Sequence, residues 1–103
     1  MSRVILGSKY SGEILNVKFD FLSSLAPTET ISTKIVTASV YSGVDPGPAS
    51  LIAGAASSSG TVVTQKVLGG VMGVTYELLC SITTSTGQTL QQSGYLAIVP
   101  ELV

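Results

Sequence analysis

The alternation of side chains along residues 73–85 constrains the fold more than any other feature of this sequence. Every second position is apolar and most positions between are polar, the apolar set being Tyr76, Leu78, Cys80 and Ile82. Because successive side chains of a β-strand point to opposite sides, this pattern predicts a strand with one buried face.

A second strand is predicted to return beside the first. The polar turn of residues 85–88 separates the two, and the run from Thr89 to Val99 follows. A Gly-x-x-Tyr entry into a long strand, followed by a hairpin to the last strand, is typical of immunoglobulin-like sandwiches. In that setting Tyr76 is expected to form a tyrosine corner by donating its hydroxyl to nearby backbone. Such a fold favours a binding or assembly protein over an enzyme.

The first half of the chain predicts two more strands. Residues 14–21 alternate cleanly, with an inward set of Leu15, Val17, Phe19 and Phe21. Residues 31–41 are rich in β-branched side chains. A bulge is expected to reconcile two apolar sets, Ile31 with Ile35 and Val36 with Ala38 and Val40. Leu22 and Leu25, in the loop between, are expected to plug one end of the core.

Short segments with turn residues between them continue the pattern. Residues 51–56 are predicted to form a short strand, residues 57–60 a loop, and residues 61–68 a strand with Val63 and Val67 inward. Together these segments predict an all-β, immunoglobulin-like antiparallel β-sandwich of about six to seven strands. A small barrel is the alternative.

The length of 103 residues fits one domain. We divide it into residues 1–13, an N-terminal arm or edge strand, and residues 14–103, the immunoglobulin-like β-sandwich domain. The apolar run Val4, Ile5 and Leu6 is separated from the first firm strand by glycines and serines. It is therefore expected either to dock onto another chain or to form the first edge strand.

The composition argues against several classes of partner. Charged residues make up 11%, the net charge is −1, and the five basic residues are scattered singly, so a nucleic-acid surface is not expected. The start of the chain lacks the apolar core of a signal peptide, and no run is long enough for a membrane helix. Cys80 is the single cysteine, which excludes an intrachain disulfide and fits a reducing cytosol.

No catalytic, cofactor or metal site is predicted. The chain has no histidine, which removes Ser-His and Cys-His pairs and the commonest metal ligand. Cys80 is expected to be buried and inert, and the carboxylates Asp20, Asp45 and Glu77 to have surface or turn roles. Gly69, Gly70 and Gly73 precede a strand and not a helix, so they are interpreted as turn residues and not as a phosphate loop.

The candidate functional residues are interface residues. Apolar or amphipathic side chains with no core role make up this set: Val4, Ile5, Leu6, Tyr10, Tyr41 and Tyr95. Tyr95 is out of phase with Leu96 and Ile98, so its ring is expected to face outward. A thin group of amides beside Tyr95 is the candidate for sugar binding: Gln88, Gln91 and Gln92.

Four segments resemble a family of small virion proteins of tailed bacteriophages. They are residues 17–26 (Val-Lys-Phe-Asp-Phe-Leu-Ser-Ser-Leu-Ala), 29–32 (Glu-Thr-Ile-Ser), 67–76 (Val-Leu-Gly-Gly-Val-Met-Gly-Val-Thr-Tyr) and 84–90 (Thr-Ser-Thr-Gly-Gln-Thr-Leu). The resemblance runs from about residue 14 to 99, and the family that it indicates includes phage fiber–tail adaptor proteins. The matching residues are turn and core residues, so the resemblance carries no functional residues across.

The resemblance implies a non-enzymatic structural protein, an adaptor that joins the tail fiber to the tail or baseplate. Other virion proteins are then the expected partners, with the chain present as a homo-oligomer or in multiple copies. It implies a location in the virion after synthesis in the host cytoplasm. The alternative is a β-sandwich module that binds carbohydrate or a host receptor.

Overall fold

The computed structural model describes the backbone of residues 2–99 and the side chains of residues 8–99. Seven strands form in chain order: β1 (Ser2–Tyr10), β2 (Leu15–Asp20), β3 (Ile31–Ser42), β4 (Ser57–Ser59), β5 (Val62–Val67), β6 (Thr75–Thr84) and β7 (Thr89–Val99). A single 3₁₀ turn, Pro48–Leu51, is the helical element of the described residues, and no helix among them is long and apolar enough to cross a membrane.

The strands make two sheets that pack face to face. One has four strands in the order β1-β7-β6-β3, and the other has three in the order β2-β5-β4. Apart from β1, this is the immunoglobulin arrangement, in which the second, fifth and fourth strands face the third, sixth and seventh. The predicted all-β sandwich of six to seven strands is confirmed.

The first strand departs from the predicted antiparallel arrangement. β1 pairs in parallel with β7, from Ser2 beside Gln92 to Tyr10 beside Val99, with a register shift between Ile5 and Gly7. Residues 2–10 therefore form an edge strand of the four-stranded sheet. A parallel partner is available because β1 and β7 are joined through the rest of the sandwich and not by a hairpin.

Side chains at alternate positions of the strands fill the core between the sheets. In β6 the predicted inward residues Tyr76, Leu78 and Cys80 are fully buried, and Ile82 almost so. Val63 and Val67 of β5 are likewise fully buried. From β2 the core takes Val17 and Phe19 with Phe21 beyond it, while Leu15 and Leu25 pack at its margin. The strand predictions for these segments are confirmed.

β3 contains two bulges, but neither brings Ile35 into the core as expected. Its pairing with β6 shifts register between Ile31 and Thr33 and again between Val40 and Ser42. Between the shifts Val36 points into the core, whereas Ile35 is 60% exposed on the other side of the strand.

Three local predictions are wrong. Residues 51–56 form no strand: Leu51 ends the 3₁₀ turn and Ile52 makes one isolated bridge to Val67. The predicted loop at 57–60 instead contains β4. Leu22 is 67% exposed and does not cover the end of the core. It continues the outward phase of β2, in a turn where its N–H donates to the Asp20 carboxylate at 2.9 Å.

Candidate interaction surface

The side of the four-stranded sheet that faces away from the core carries the candidate residues; we call it the outer face. Because paired residues of neighbouring strands share a side of the sheet, the register identifies its members. Glu77 of β6 lies between Tyr95 of β7 and Ser39 of β3. All three are on the opposite side of their strands from the buried core.

Tyr41 and Tyr95 meet on the outer face. Their ring centroids lie 4.4 Å apart with the planes tilted by 37°. The two residues are on the strands that flank β6, so their rings meet across that strand. Tyr41 comes two residues after Ser39 and continues the outward phase of β3, at the register shift between Val40 and Ser42. Tyr41 is 60% exposed and Tyr95 is half-buried.

Tyr10 and the run Val4, Ile5 and Leu6 belong to β1. Tyr10 pairs with Val99 and is 40% exposed, so it lies on the outer face farther along β7 than Tyr95. The backbone of Ile5 lies beside Tyr95. The side chains of Val4, Ile5 and Leu6 lie outside the described part of the structure. The register thus brings the tyrosines and the backbone of β1 onto one sheet.

The outer face is almost free of charge. Among the described side chains, Glu77 is the one charged residue at the outward positions of β3, β6 and β7. Hydroxyl, apolar and amide side chains fill the other positions, with Ile35 as exposed as Tyr41. Cores of protein interfaces are similarly poor in charge and rich in aromatic residues.

The amide group expected beside Tyr95 does not assemble. Gln91 shares the outward phase of Tyr95, but Gln92 points to the opposite side of β7 and is buried. The Gln92 side-chain amide donates to the main-chain carbonyl of Asp20 at 2.6 Å, which ties the end of β2 to the other sheet. Alternation along the strand therefore splits the predicted sugar-binding group.

Tyr76 forms a tyrosine corner, but its hydroxyl accepts a hydrogen bond from the backbone and does not donate one to it as expected. Its hydroxyl accepts from the N–H of Val71 at 2.9 Å and donates to the Asp45 carboxylate at 2.5 Å. Asp45 also accepts from the Gly47 N–H at 2.8 Å. These two donors, the Tyr76 hydroxyl first, hold the pKa of Asp45 below its ordinary value. Burial, and then the bond to Asp45, raise the pKa of Tyr76.

A second polar cluster, which the sequence did not predict, closes the other end of the sandwich. Glu29 is 8% exposed; it accepts from the Ala26 N–H at 3.1 Å and from the Thr86 hydroxyl. The hydroxyls of Thr84 and Thr86, followed by the Ala26 N–H, lower the pKa of Glu29. The signal in the sequence was a carboxylate three residues after the start of a turn, the spacing of a capping box.

Lys9 is a further residue whose position the sequence did not indicate. It is 1% exposed, and its ammonium group donates to the main-chain carbonyls of Tyr10 at 2.7 Å and Ser11 at 3.4 Å. Burial lowers the pKa of Lys9, and the nearby Glu13 carboxylate acts in the opposite direction. Lys9 has the inward phase of β1, so its place in the strand pattern explains its burial.

Cys80 is buried as predicted. It has no exposed surface, and burial raises the pKa of its thiol to about 12. Since the thiolate is the reactive form, this position is unsuited to nucleophilic chemistry. Among the described residues, no group of three or more histidine, cysteine, aspartate or glutamate side chains is placed to hold a metal ion.

Comparison with known protein families gives a match over most of the chain. Residues 9–97 match the model of the family described as "Podophage GP4 fiber-tail adaptor protein gp77". No curated protein matches the chain. The family match covers nearly the whole sandwich, from the end of β1 to the end of β7. The chain therefore belongs to the podophage fiber–tail adaptor family, and it is a structural adaptor component of a phage virion.

Proposed function

We propose that this chain is a non-enzymatic connector that joins a tail fiber to the tail or baseplate of the virion. It is made in the host cytoplasm, occurs in several copies per virion, and binds its partners through uncharged surface. Membership of a fiber–tail adaptor family supports the role. The observation that supports the interface is the contact between the rings of Tyr41 and Tyr95 on a sheet face with almost no charge.

The physical case rests on the cost of binding. Tyr41 is already held against Tyr95, so docking onto this pair would order little that is mobile, and preorganised aromatic anchors are the usual hot spots of interfaces. Tyr10 extends the same face along β7. With a net charge of −1, copies of the chain also repel one another weakly.

Residues Val4, Ile5 and Leu6 are included in this interface. Their segment of β1 lies at the edge of the sheet that carries the tyrosine pair, and an edge strand offers unpaired backbone to a neighbour. Deleting residues 1–7 tests their role while keeping Lys9 and Tyr10. We expect a folded chain that has lost affinity for its virion partner. An unfolded product would assign the segment to the core instead.

The central experiment is capture of the fiber and tail proteins of the same phage by the immobilised chain. Replacing Tyr41 by Ser should weaken capture by about tenfold or more, the loss typical of an interface hot spot. Leu22→Ser is the matched control, because Leu22 is 67% exposed but lies in the loop after β2, away from the outer face. The control should bind like the unmodified chain.

The salt dependence of capture is a second readout. Contact through apolar groups and backbone should change little with ionic strength, whereas charge-steered binding weakens steeply. If no virion protein is captured at any salt concentration while a host glycan binds, the connector is ruled out in favour of the receptor-binding module.

A further inference from the structure

The free edge of β3 is the least protected strand edge in the described part of the molecule. β3 is the outermost strand beyond β6, so the backbone groups that it turns away from β6 have no neighbouring strand. Unpaired N–H and C=O groups of this kind are a template for pairing with another chain. What protects an edge is its length, its charges and its irregularities.

The other edges are shorter, carry more charge or are broken near the middle, whereas the central part of β3 is continuous and has Lys34 as its one charge. β4 has three residues, β2 carries Lys18 and Asp20 on its exposed side, and β1 breaks register after Ile5. Between its two bulges β3 runs without a break, and its exposed side is uncharged, with Thr33, Ile35, Thr37 and Ser39. The central part of β3 is therefore open to an added strand.

An apolar groove of about 400 Å³ lies beside this edge. Residues 34–36 of β3 form one wall, residues 54–56 form the other together with Ile52, and Gln65 of β5 also lines it. The groove is partly open to solvent. It lies between the two sheets where their edges meet.

The groove exists because the edge of the three-stranded sheet is interrupted here. The Ala53 N–H bonds the Lys66 carbonyl at 3.0 Å, but regular pairing with β5 resumes only at Ser57. In the gap Gly54 adopts a φ of 75°, and the Gln65 side-chain amide donates to the Gly54 carbonyl at 3.1 Å. Small side chains then line the gap, which leaves space for side chains from outside.

The charge in the groove indicates the chemistry of its occupant. Lys34 is the one charged residue among the described residues that line it, and no carboxylate lines it. Lys34 is half-buried, so part of its stem is already covered by this surface. An incoming carboxylate would supply the missing opposite charge. β3 itself contains no acidic residue, so the β3 strand of a second copy would not supply one.

We propose that the edge of β3 and this groove receive an extended segment of a neighbouring virion protein, which adds to the sheet as a strand. The segment has apolar side chains at alternate positions, which enter the groove, and an acidic residue that pairs with Lys34. Backbone hydrogen bonds supply affinity and the alternate side chains supply specificity, as in other strand additions. The inference rests on the proposed connector function and names the chemistry of one partner.

The test uses the full chain and overlapping peptides that span the fiber and tail proteins of the same phage. Bound peptides should alternate in apolar residues and contain Asp or Glu, and binding should slow hydrogen exchange at the amides of residues 33–40. Lys34→Glu should weaken binding by about fivefold or more, and Lys34→Gln by less. Lys18→Glu, a charge reversal on the edge of β2, is the matched control and should have no effect.

The proposal is overturned if no peptide binds, if Lys34→Glu and Lys34→Gln bind as tightly as the unmodified chain, or if the slowed amides lie outside β3. Self-association that protects the same β3 amides would assign the edge to a second copy and would also overturn it. Capture of intact fiber and tail proteins separates the two ideas. If Lys34→Glu captures them normally and Tyr41→Ser does not, the connector function stands and the β3 site fails.

Discussion

The Tyr76 hydroxyl donates a 2.5 Å hydrogen bond to the carboxylate of Asp45, a residue 31 positions earlier in the chain. The same hydroxyl accepts from the N–H of Val71, five residues before it. One phenolic oxygen therefore fixes the turn that enters β6 and the loop that leaves β3. Both segments connect one sheet to the other at the same end of the sandwich, and this oxygen links them.

Replacing Tyr76 by Phe should destabilise the fold by about 1–3 kcal/mol, because the Val71 N–H and the Asp45 carboxylate each lose a partner. Urea unfolding measures the change. Tyr41→Phe is the control: that ring is 60% exposed, and the substitution should change stability by less than about 0.5 kcal/mol. Equal effects of the two substitutions would contradict a structural role for the Tyr76 hydroxyl.

Cys80 should resist thiol reagents in the folded protein and react only after denaturant is added. Burial and a pKa of about 12 leave almost no thiolate at neutral pH. Cys80→Ser should cost about 1–3 kcal/mol, because a hydroxyl would be buried without an assured partner. Stoichiometric labelling of the native chain at the rate of a free thiol would show that the burial is wrong.

Stability should fall at both extremes of pH. Asp45 and Glu29 have folded pKa values below their ordinary values of 3.8 and 4.5, so their contribution is present above those values and is lost as the pH falls through the folded ones. Tyr76 has a folded pKa above its ordinary 10.0, so its contribution is present below that pH and is lost as the pH rises.

Urea midpoints measured across the pH range test this, with Asp45→Asn as the comparison. The variant should lose part of the acid dependence and keep the part due to Glu29. An unchanged acid limb in Asp45→Asn would refute the assignment to Asp45.

Gly70 should tolerate alanine less well than Gly60. Both have positive φ, 96° and 59°, so each substitution carries conformational strain of about 1–2 kcal/mol. A Cβ at Gly70 would also lie 2.7 Å from Cγ1 of the buried Ile98, whereas one at Gly60 meets nothing within 4 Å. Overpacking should add about 1–3 kcal/mol at Gly70. Thermal unfolding of the two variants would show the difference, and equal losses would mean that Ile98 can move aside.

The sequence predicted the parts of the fold that depend on alternation. Where one face is buried, period-two spacing alone identified Leu78 and Cys80 of β6 as core residues and Tyr95 of β7 as outward-facing. The strand predicted at residues 51–56 is wrong although a run of small apolar side chains fits a strand. Pro48 favours the 3₁₀ turn that ends at Leu51, and Gly54 favours an interruption.

Long-range pairings were not predictable from local patterns. Nothing near Tyr41 indicates that its ring meets Tyr95, since the contact depends on the register of three strands. The burial of Glu29 likewise depends on a hairpin that comes 57 residues later. The burial of Lys9 depends on the pairing of β1 with β7, which places this seldom-buried residue type inside the sandwich.

The parallel pairing of β1 with β7 has a mechanical consequence for a connector. A pull on the start of β1 and an opposite pull on the end of β7 act along the same line, with the ladder from Ser2–Gln92 to Tyr10–Val99 between them. The two strands would have to slide past each other, so the hydrogen bonds of the ladder would share the load and break together. A hairpin pulled from its open end would instead unzip one bond at a time. Under tension in that direction, the β1–β7 pair should therefore resist separation more strongly than a hairpin would.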